Sequence, residues 1–295
     1  MNSPLIAALS GDRFEMDTEV GRLSCYRAGS GPPLLLIHSV NAAASAAEVR
    51  PLYEHYRATH TVFAPDLPGF GFSARSDRVY SPRLMTDAVH AIVNDIGARC
   101  GGAPVDALAL SLSSEFLARA AAESPPRFRS LALVSPTGFG GGKSRRGAPG
   151  STYAMPWLYR ALRGPGWGRA LFHALTRPGV IRYFLGRTWG STHIDERLWA
   201  YDVLTARQPG AEHAPLYFLS GGLFSADIHC VYEALRLPVW MSHGVRGDFT
   251  DYRGRALVTA RDNWRISVFQ TGALPHFEDF ESFTADYASV LGIAR

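Results

Sequence analysis

Ser111 stands where an apolar run meets a helix-forming run, in Val105-Asp-Ala-Leu-Ala-Leu-Ser111-Leu-Ser-Ser-Glu115. A serine on a strand-to-helix turn has its hydroxyl exposed and its neighbouring amides aimed at an oxyanion, the arrangement for nucleophilic attack on a carbonyl. Helix and strand pass close together there, so small residues are needed two before, two after and three after the nucleophile. Ala109, Ser113 and Ser114 meet that need for Ser111. Ser113 as nucleophile would put Glu115 at a small-residue position, and Ser114 would put Leu112 there. The usual pattern is G-x-S-x-G, and both flanking glycines are replaced here, by Ala109 and Ser113. A serine capping a helix after a buried strand would leave the same trace.

A serine nucleophile needs a base and a group that orients the base. Two late loops offer them in the order acid, then histidine. Asp248 follows the apolar run Leu237-Pro-Val-Trp-Met-Ser-His-Gly244, and His276 follows Trp264-Arg-Ile-Ser-Val-Phe-Gln270. His276, the one histidine of ten beyond the last expected strand, would take the Ser111 proton, and Asp248 would fix its tautomer. Asp251 is the rival acid, at a position that suits the cap of a following helix.

The elements that must position these residues alternate in the rhythm of a mostly parallel sheet flanked by helices. Strands are expected at Leu23 to Arg27, Leu34 to Ile37, Thr61 to Ala64, Val105 to Leu110, Leu131 to Val134, Pro238 to Ser242 and Arg265 to Phe269. Ser81-Pro82 starts a helix that Gly101-Gly102 ends, and a final helix spans Phe280 to Leu291. Residues 137–236 lose the strand rhythm and show helical pieces around Leu158, Leu171, Ile181, Leu198 and Tyr217. The expectation is an α/β core from 1–136 and 237–295 with a helical cap inserted at 137–236. Gly138 to Gly150, rich in glycine and without an aromatic after Phe139, should be the least ordered connector, cut first by a protease at Arg145 or Arg146.

With Leu34-Leu-Leu-Ile-His38-Ser-Val-Asn41 added, residues 20–295 resemble the α/β-hydrolase superfamily, in its branch with a helical cap between the sixth and seventh core strands. Relatives carry His-Gly-x after that strand. The resemblance implies an oxyanion hole made of the amides of Val40 and Leu112, with Ser39 standing where relatives have glycine. It gives His38 a packing role and Asp66-Leu-Pro-Gly-Phe-Gly-Phe-Ser73 a structural one. It implies a serine hydrolase without cofactor or metal, cleaving a small or medium ester or thioester through an acyl-enzyme. C–C bond hydrolysis or lyase chemistry on the same triad is the runner-up. A receptor or regulator that keeps the fold and turns over slowly is the alternative from another class. Relatives that dehalogenate or open epoxides have aspartate at the nucleophile position, where this chain has Ser111.

Composition is that of a globular enzyme, at 46% apolar and 19% charged residues, with a net charge of +4. The thirty basic residues are arginines except Lys143, and they form no dense run, so nucleic acid is not an expected partner. Cys25, Cys100 and Cys230 are odd in number and widely spaced, which suggests neither a disulfide framework nor a metal knuckle. Met1 to Ser10 has no basic stretch followed by a continuous apolar one, and the longest apolar runs are strand-sized. The expectation is therefore a cytoplasmic protein with a small-molecule substrate and no membrane partner. The cap holds four of the six tryptophans, Trp157, Trp167, Trp189 and Trp199, as candidate pocket walls or as packing onto the core. Its twelve basic residues against six acidic ones would suit an anionic substrate or a solvated basic face.

Overall fold

The apolar runs become the interior of one eight-stranded sheet in a computed structural model that describes residues 3–141, 144–164 and 167–292. Its strands are β1 (Asp12–Thr18), β2 (Gly21–Ala28), β3 (Pro33–Ile37), β4 (Thr61–Asp66), β5 (Val105–Leu110), β6 (Phe128–Val134), β7 (Val239–Gly244) and β8 (Trp264–Phe269). They lie in the order β1-β2-β4-β3-β5-β6-β7-β8. Pairing is antiparallel from β1 through β2 to β4, and parallel from there on. β3 and β5 are buried on both faces, which is why they read as unbroken apolar runs.

β1 is an addition to the strands expected from sequence. Its charged residues alternate with Phe14 and Met16, and its antiparallel register against β2 puts it at the sheet edge, where one face stays wet.

The helices are α1 (Arg50–Tyr56), α2 (Pro82–Arg99), α3 (Ser113–Glu123), α4 (Pro156–Leu162), α5 (Gly168–Leu175), α6 (Pro178–Trp189), α7 (Glu196–Thr205), α8 (His213–Leu219), α9 (Ile228–Ala234), α10 (Ala256–Thr259), α11 (Pro275–Glu278) and α12 (Phe280–Leu291). Ser81 caps α2 as expected, its hydroxyl accepting from the Leu84 amide with Pro82 in the first turn. Two apolar clusters sandwich the sheet. One is built on α2 and α3, the other on α1 and α12 with Trp240, Phe283 and Tyr287.

The helices α4 to α9 all lie between β6 and β7. α9 packs on α3, whereas α7 packs on the turn Ala46–Val49. Salt bridges pin this insertion to the core: Arg50 with Asp195 at 2.9 Å, and Arg119 with Asp227 at 2.6 Å.

Of the connector at 138–150, expected to be the least ordered part of the chain, Gly142 and Lys143 lie outside the described residues, and the rest makes several hydrogen bonds. The head of α9 takes up the connector's backbone. His229 Nε2 donates to the Gly138 carbonyl, and the Arg145 amide donates to His229 Nδ1. The Gly147 amide donates to the Ala226 carbonyl, and the Gly150 amide to the Asp227 carboxylate. Arg146, one of the expected protease sites, pairs with Glu233. Glycine richness left the chain free to follow α9 closely.

Candidate active site

At the carboxyl end of β5 the chain turns sharply into α3. Ser111 has φ 51°, and among the described residues only Ser135 is another non-glycine with positive φ. The strain is over-determined by its surroundings. The Ser111 amide donates to the Val134 carbonyl, the Ser114 amide donates back to the Ser111 carbonyl, and Ser114 Oγ donates to the Ala109 carbonyl. The hydroxyl of Ser111 is partly exposed and has no hydrogen-bond partner among the described residues.

The loop after β3 faces the elbow with an unusual anchor. Glu48, buried in the turn Ala46–Val49, accepts the Ser39 amide at 2.6 Å and the Ser39 hydroxyl at 3.0 Å. It also accepts Asn41 Nδ2 at 2.8 Å. Ser39, where relatives have glycine, is thus held through its own amide. The amides of Val40 and Leu112 donate to no acceptor among the described residues, as donors reserved for a developing oxyanion would. His38 packs edge-on to Phe70, accepts the Leu67 amide at Nε2 and donates from Nδ1 to the Ser39 carbonyl.

Among the described residues, neither His276 nor Asp248 hydrogen-bonds to Ser111 or to the other. His276 lies in α11 beyond the loop that follows β8, and Pro275 in its first turn carries the chain inward. The ring is fully buried against Phe277 and Phe283. Its Nε2 donates to the Glu48 carbonyl at 2.8 Å, so Nε2 carries the proton of a neutral imidazole, and the Nδ1 lone pair has no partner. Burial pushes this histidine down to about 4, opposed only by the bond to Glu48. So placed, the ring makes no hydrogen bond with Ser111.

Ala273 of that loop is tied to the chain beside the elbow. Its carbonyl accepts from Ser135 Oγ at 2.7 Å, and Ser135 adjoins the Val134 carbonyl that holds Ser111. Ala273 offers no proton acceptor on its side chain.

Asp248 is diverted by the cap. Arg187 of α6 grips it through Nε at 2.7 Å and a terminal nitrogen at 2.6 Å. The Asp248 amide donates to the Arg187 carbonyl and the Ala273 amide to the Thr188 carbonyl, so the end of α6 sits on both late loops. A Cβ on Gly272 would lie 2.5 Å from the Thr188 carbonyl, and one on Gly190 would lie 2.4 Å from the Gly247 amide. Glycine is required at both for this approach. Asp251 accepts from Arg253 and from the Gly141 amide, as a local cap.

The residues that sequence reasoning missed are Glu48 and Asp202. Asp202 of α7 is buried, its carboxyl has no hydrogen-bond partner among the described residues, and burial beside the charges of Glu48 and Asp195 holds it well above the usual carboxylate range. The available signal was Glu48 itself, an acid inside the apolar run Ala42 to Val49 and near a serine in a glycine position. Of the candidate pocket tryptophans, Trp189 is buried against Phe277, Trp199 is half-buried with Arg182 over its ring, and Trp157 and Trp167 face solvent. Among the described residues, no three His, Cys, Asp or Glu side chains come together as a metal set.

The family model described as alpha/beta hydrolase fold matches residues 32–169. No curated protein matches the chain. Among solved structures it is similar to the enol-lactonase from Burkholderia xenovorans LB400, at 16% identity over 94% of this chain and 99% of that one, with a TM-score of 0.68. It is similar to a thermophilic esterase from Thermogutta terrifontis at 18% identity, covering 95% and 98% with a TM-score of 0.69. A serine hydrolase involved in carbazole degradation, the CarC enzyme, matches at 14% identity over 96% and 100%, with a TM-score of 0.70. Strand order, elbow and these similarities agree: the chain is an α/β-hydrolase-fold protein.

Proposed function

We propose that this protein binds a carbonyl-bearing small molecule over Ser111, through the serine hydroxyl and the amides of Val40 and Leu112, and turns it over slowly, as a receptor-like member of its fold. The observation that carries this reading is the bond of His276 Nε2 to the Glu48 carbonyl, with Asp248 held by Arg187. The oxyanion donors are supported by their free amides, while the imidazole that fast acyl transfer would need bonds the Glu48 carbonyl and makes no bond with Ser111.

The test is turnover. Across a panel of aryl, acyl and C–C substrates, the wild type is expected to run within about tenfold of Ser111→Ala, because removing a serine from an unassembled triad forfeits little of the roughly million-fold that it costs in an assembled one. An ester that binds should raise the melting temperature of the wild type. Ser111→Ala should weaken that binding by about fivefold, the worth of one hydrogen bond. Wild-type turnover a thousandfold above Ser111→Ala would sink the receptor reading.

One observation favours a second reading. The strained Ser111 beside two free amides is the costly half of an acyl-transfer site. Ester or thioester hydrolysis through an acyl-enzyme then requires the loops after β7 and β8 to rearrange, and the thousandfold result is its signature.

A further inference from the structure

The cap carries a second surface that ligand binding at Ser111 does not use. Between Glu123 and Asp195 the chain contains no acidic residue, while eleven basic ones occur there. The outer helices of this stretch also show solvent an unusual amount of apolar surface. Trp157 is 63% exposed, Trp167 56%, Tyr183 57% and Phe184 56%, and Tyr153, Met155 and Leu175 are exposed beside them. Single exposed rings are ordinary, but seven large apolar side chains from three consecutive helices and their approach segment are not.

Six of the arginines are answered by carboxylates from outside the stretch, among them Arg129 by Asp106 and Arg146 by Glu233. Arg163 pairs with Asp77, Arg169 with Glu212, Arg182 with Glu196 and Arg187 with Asp248. Arg160 and Arg177, both exposed, have no acidic partner among the described residues. We propose that α4 and α5, which pack on each other, seat the protein on an anionic phospholipid surface, with Trp157, Trp167 and Met155 entering the headgroup boundary and Arg160 and Arg177 meeting lipid phosphates. Tryptophan and tyrosine favour that boundary because one part of the ring system is apolar and another can hydrogen-bond. Arginine nearby adds attraction to anionic lipid. Among the described residues no helix is long and apolar enough to cross a membrane, so attachment is to the surface. A nucleic acid would answer the arginines and stack on the rings, but it offers nothing to Met155, Leu175 or the exposed Pro156.

The full chain is sedimented with vesicles of phosphatidylcholine alone or with about one-third phosphatidylserine. Binding to the anionic vesicles is expected to be at least about tenfold stronger and to fall as salt rises. Trp157→Ala with Trp167→Ala should cut it by about tenfold, and Arg160→Gln with Arg177→Gln should remove most of the preference for anionic lipid. Each pair should leave the melting temperature close to wild type, because these side chains are exposed. Absence of binding, equal binding to both vesicles or an unaffected tryptophan variant would overturn the proposal. So would displacement by a single-stranded RNA oligonucleotide, or a dimer in light scattering that the tryptophan changes dissociate.

Discussion

His276→Ala is expected to lower stability by about 2–4 kcal/mol, the usual cost of emptying a well-packed buried site and losing a hydrogen bond with it. At roughly 2 °C per kcal/mol for a chain of this size, the melting temperature falls by about 4–8 °C. The imidazole fills space between Phe277 and Phe283 and ties α11 to the turn that carries Glu48.

Its titration sharpens the test. The ring ordinarily titrates at 6.5 and is pushed down to about 4 in the fold, so the unfolded chain binds the extra proton first. Stability from the neutral ring is therefore complete above about 6.5 and is lost as pH falls towards 4, a range worth about 3 kcal/mol. His276→Gln should flatten that part of the melting profile and leave fluorophosphonate labelling of Ser111 within a few-fold. If labelling collapsed while the melting temperature stood still, the imidazole would have to be restored as the base.

Glu48→Ala should be costlier. The buried carboxylate satisfies the Ser39 amide, the Ser39 hydroxyl and Asn41 Nδ2, and its removal strands the two Ser39 donors away from water, whereas half-buried Asn41 still reaches Ser39 Oγ. At about 1–3 kcal/mol for each of the two buried Ser39 donors left unpaired, the loss is about 2–6 kcal/mol, or roughly 4–12 °C by thermal denaturation. The loop that presents the Val40 amide would lose its anchor at the same time. Proteolysis should then begin within residues 39–45, and labelling of Ser111 should fall further than in His276→Gln. A melting temperature within about 1 °C of wild type would show that the carboxylate holds nothing.

The sheet and the elbow were legible because they obey local rules. An apolar run as long as a strand, followed by a serine with small neighbours, produces β5, the turn and α3 with no help from distant residues. β1 was illegible for the opposite reason: Asp12, Arg13, Glu15 and Asp17 make an edge strand look like surface loop, and its partner β2 supplies the missing order. Asp248 and His276 follow the nucleophile in the order acid then histidine, yet order along a chain does not fix which side chains meet. Pro275 starts a short helix, and His276 on it is buried against Phe277 and Phe283. Asp248 is claimed by Arg187, 61 residues earlier and inside the insertion, a pairing that no local pattern announces. The bonds of the connector at 138–150 were illegible on the same ground, since the groups that make them belong to the head of α9.

The seating of α6 on the loops after β7 and β8 makes the cap and those loops one cooperative piece. Two main-chain bonds, from the amides of Asp248 and Ala273 to the carbonyls of Arg187 and Thr188, must break before α6 can lift, and the same motion parts Arg187 from Asp248. Lifting the end of α6 and releasing the Asp248 carboxylate are therefore a single equilibrium. Any agent that prefers the raised cap to the seated one shifts both by the same free energy, and a ligand that needs Asp248 free would in turn favour whatever lifts the cap.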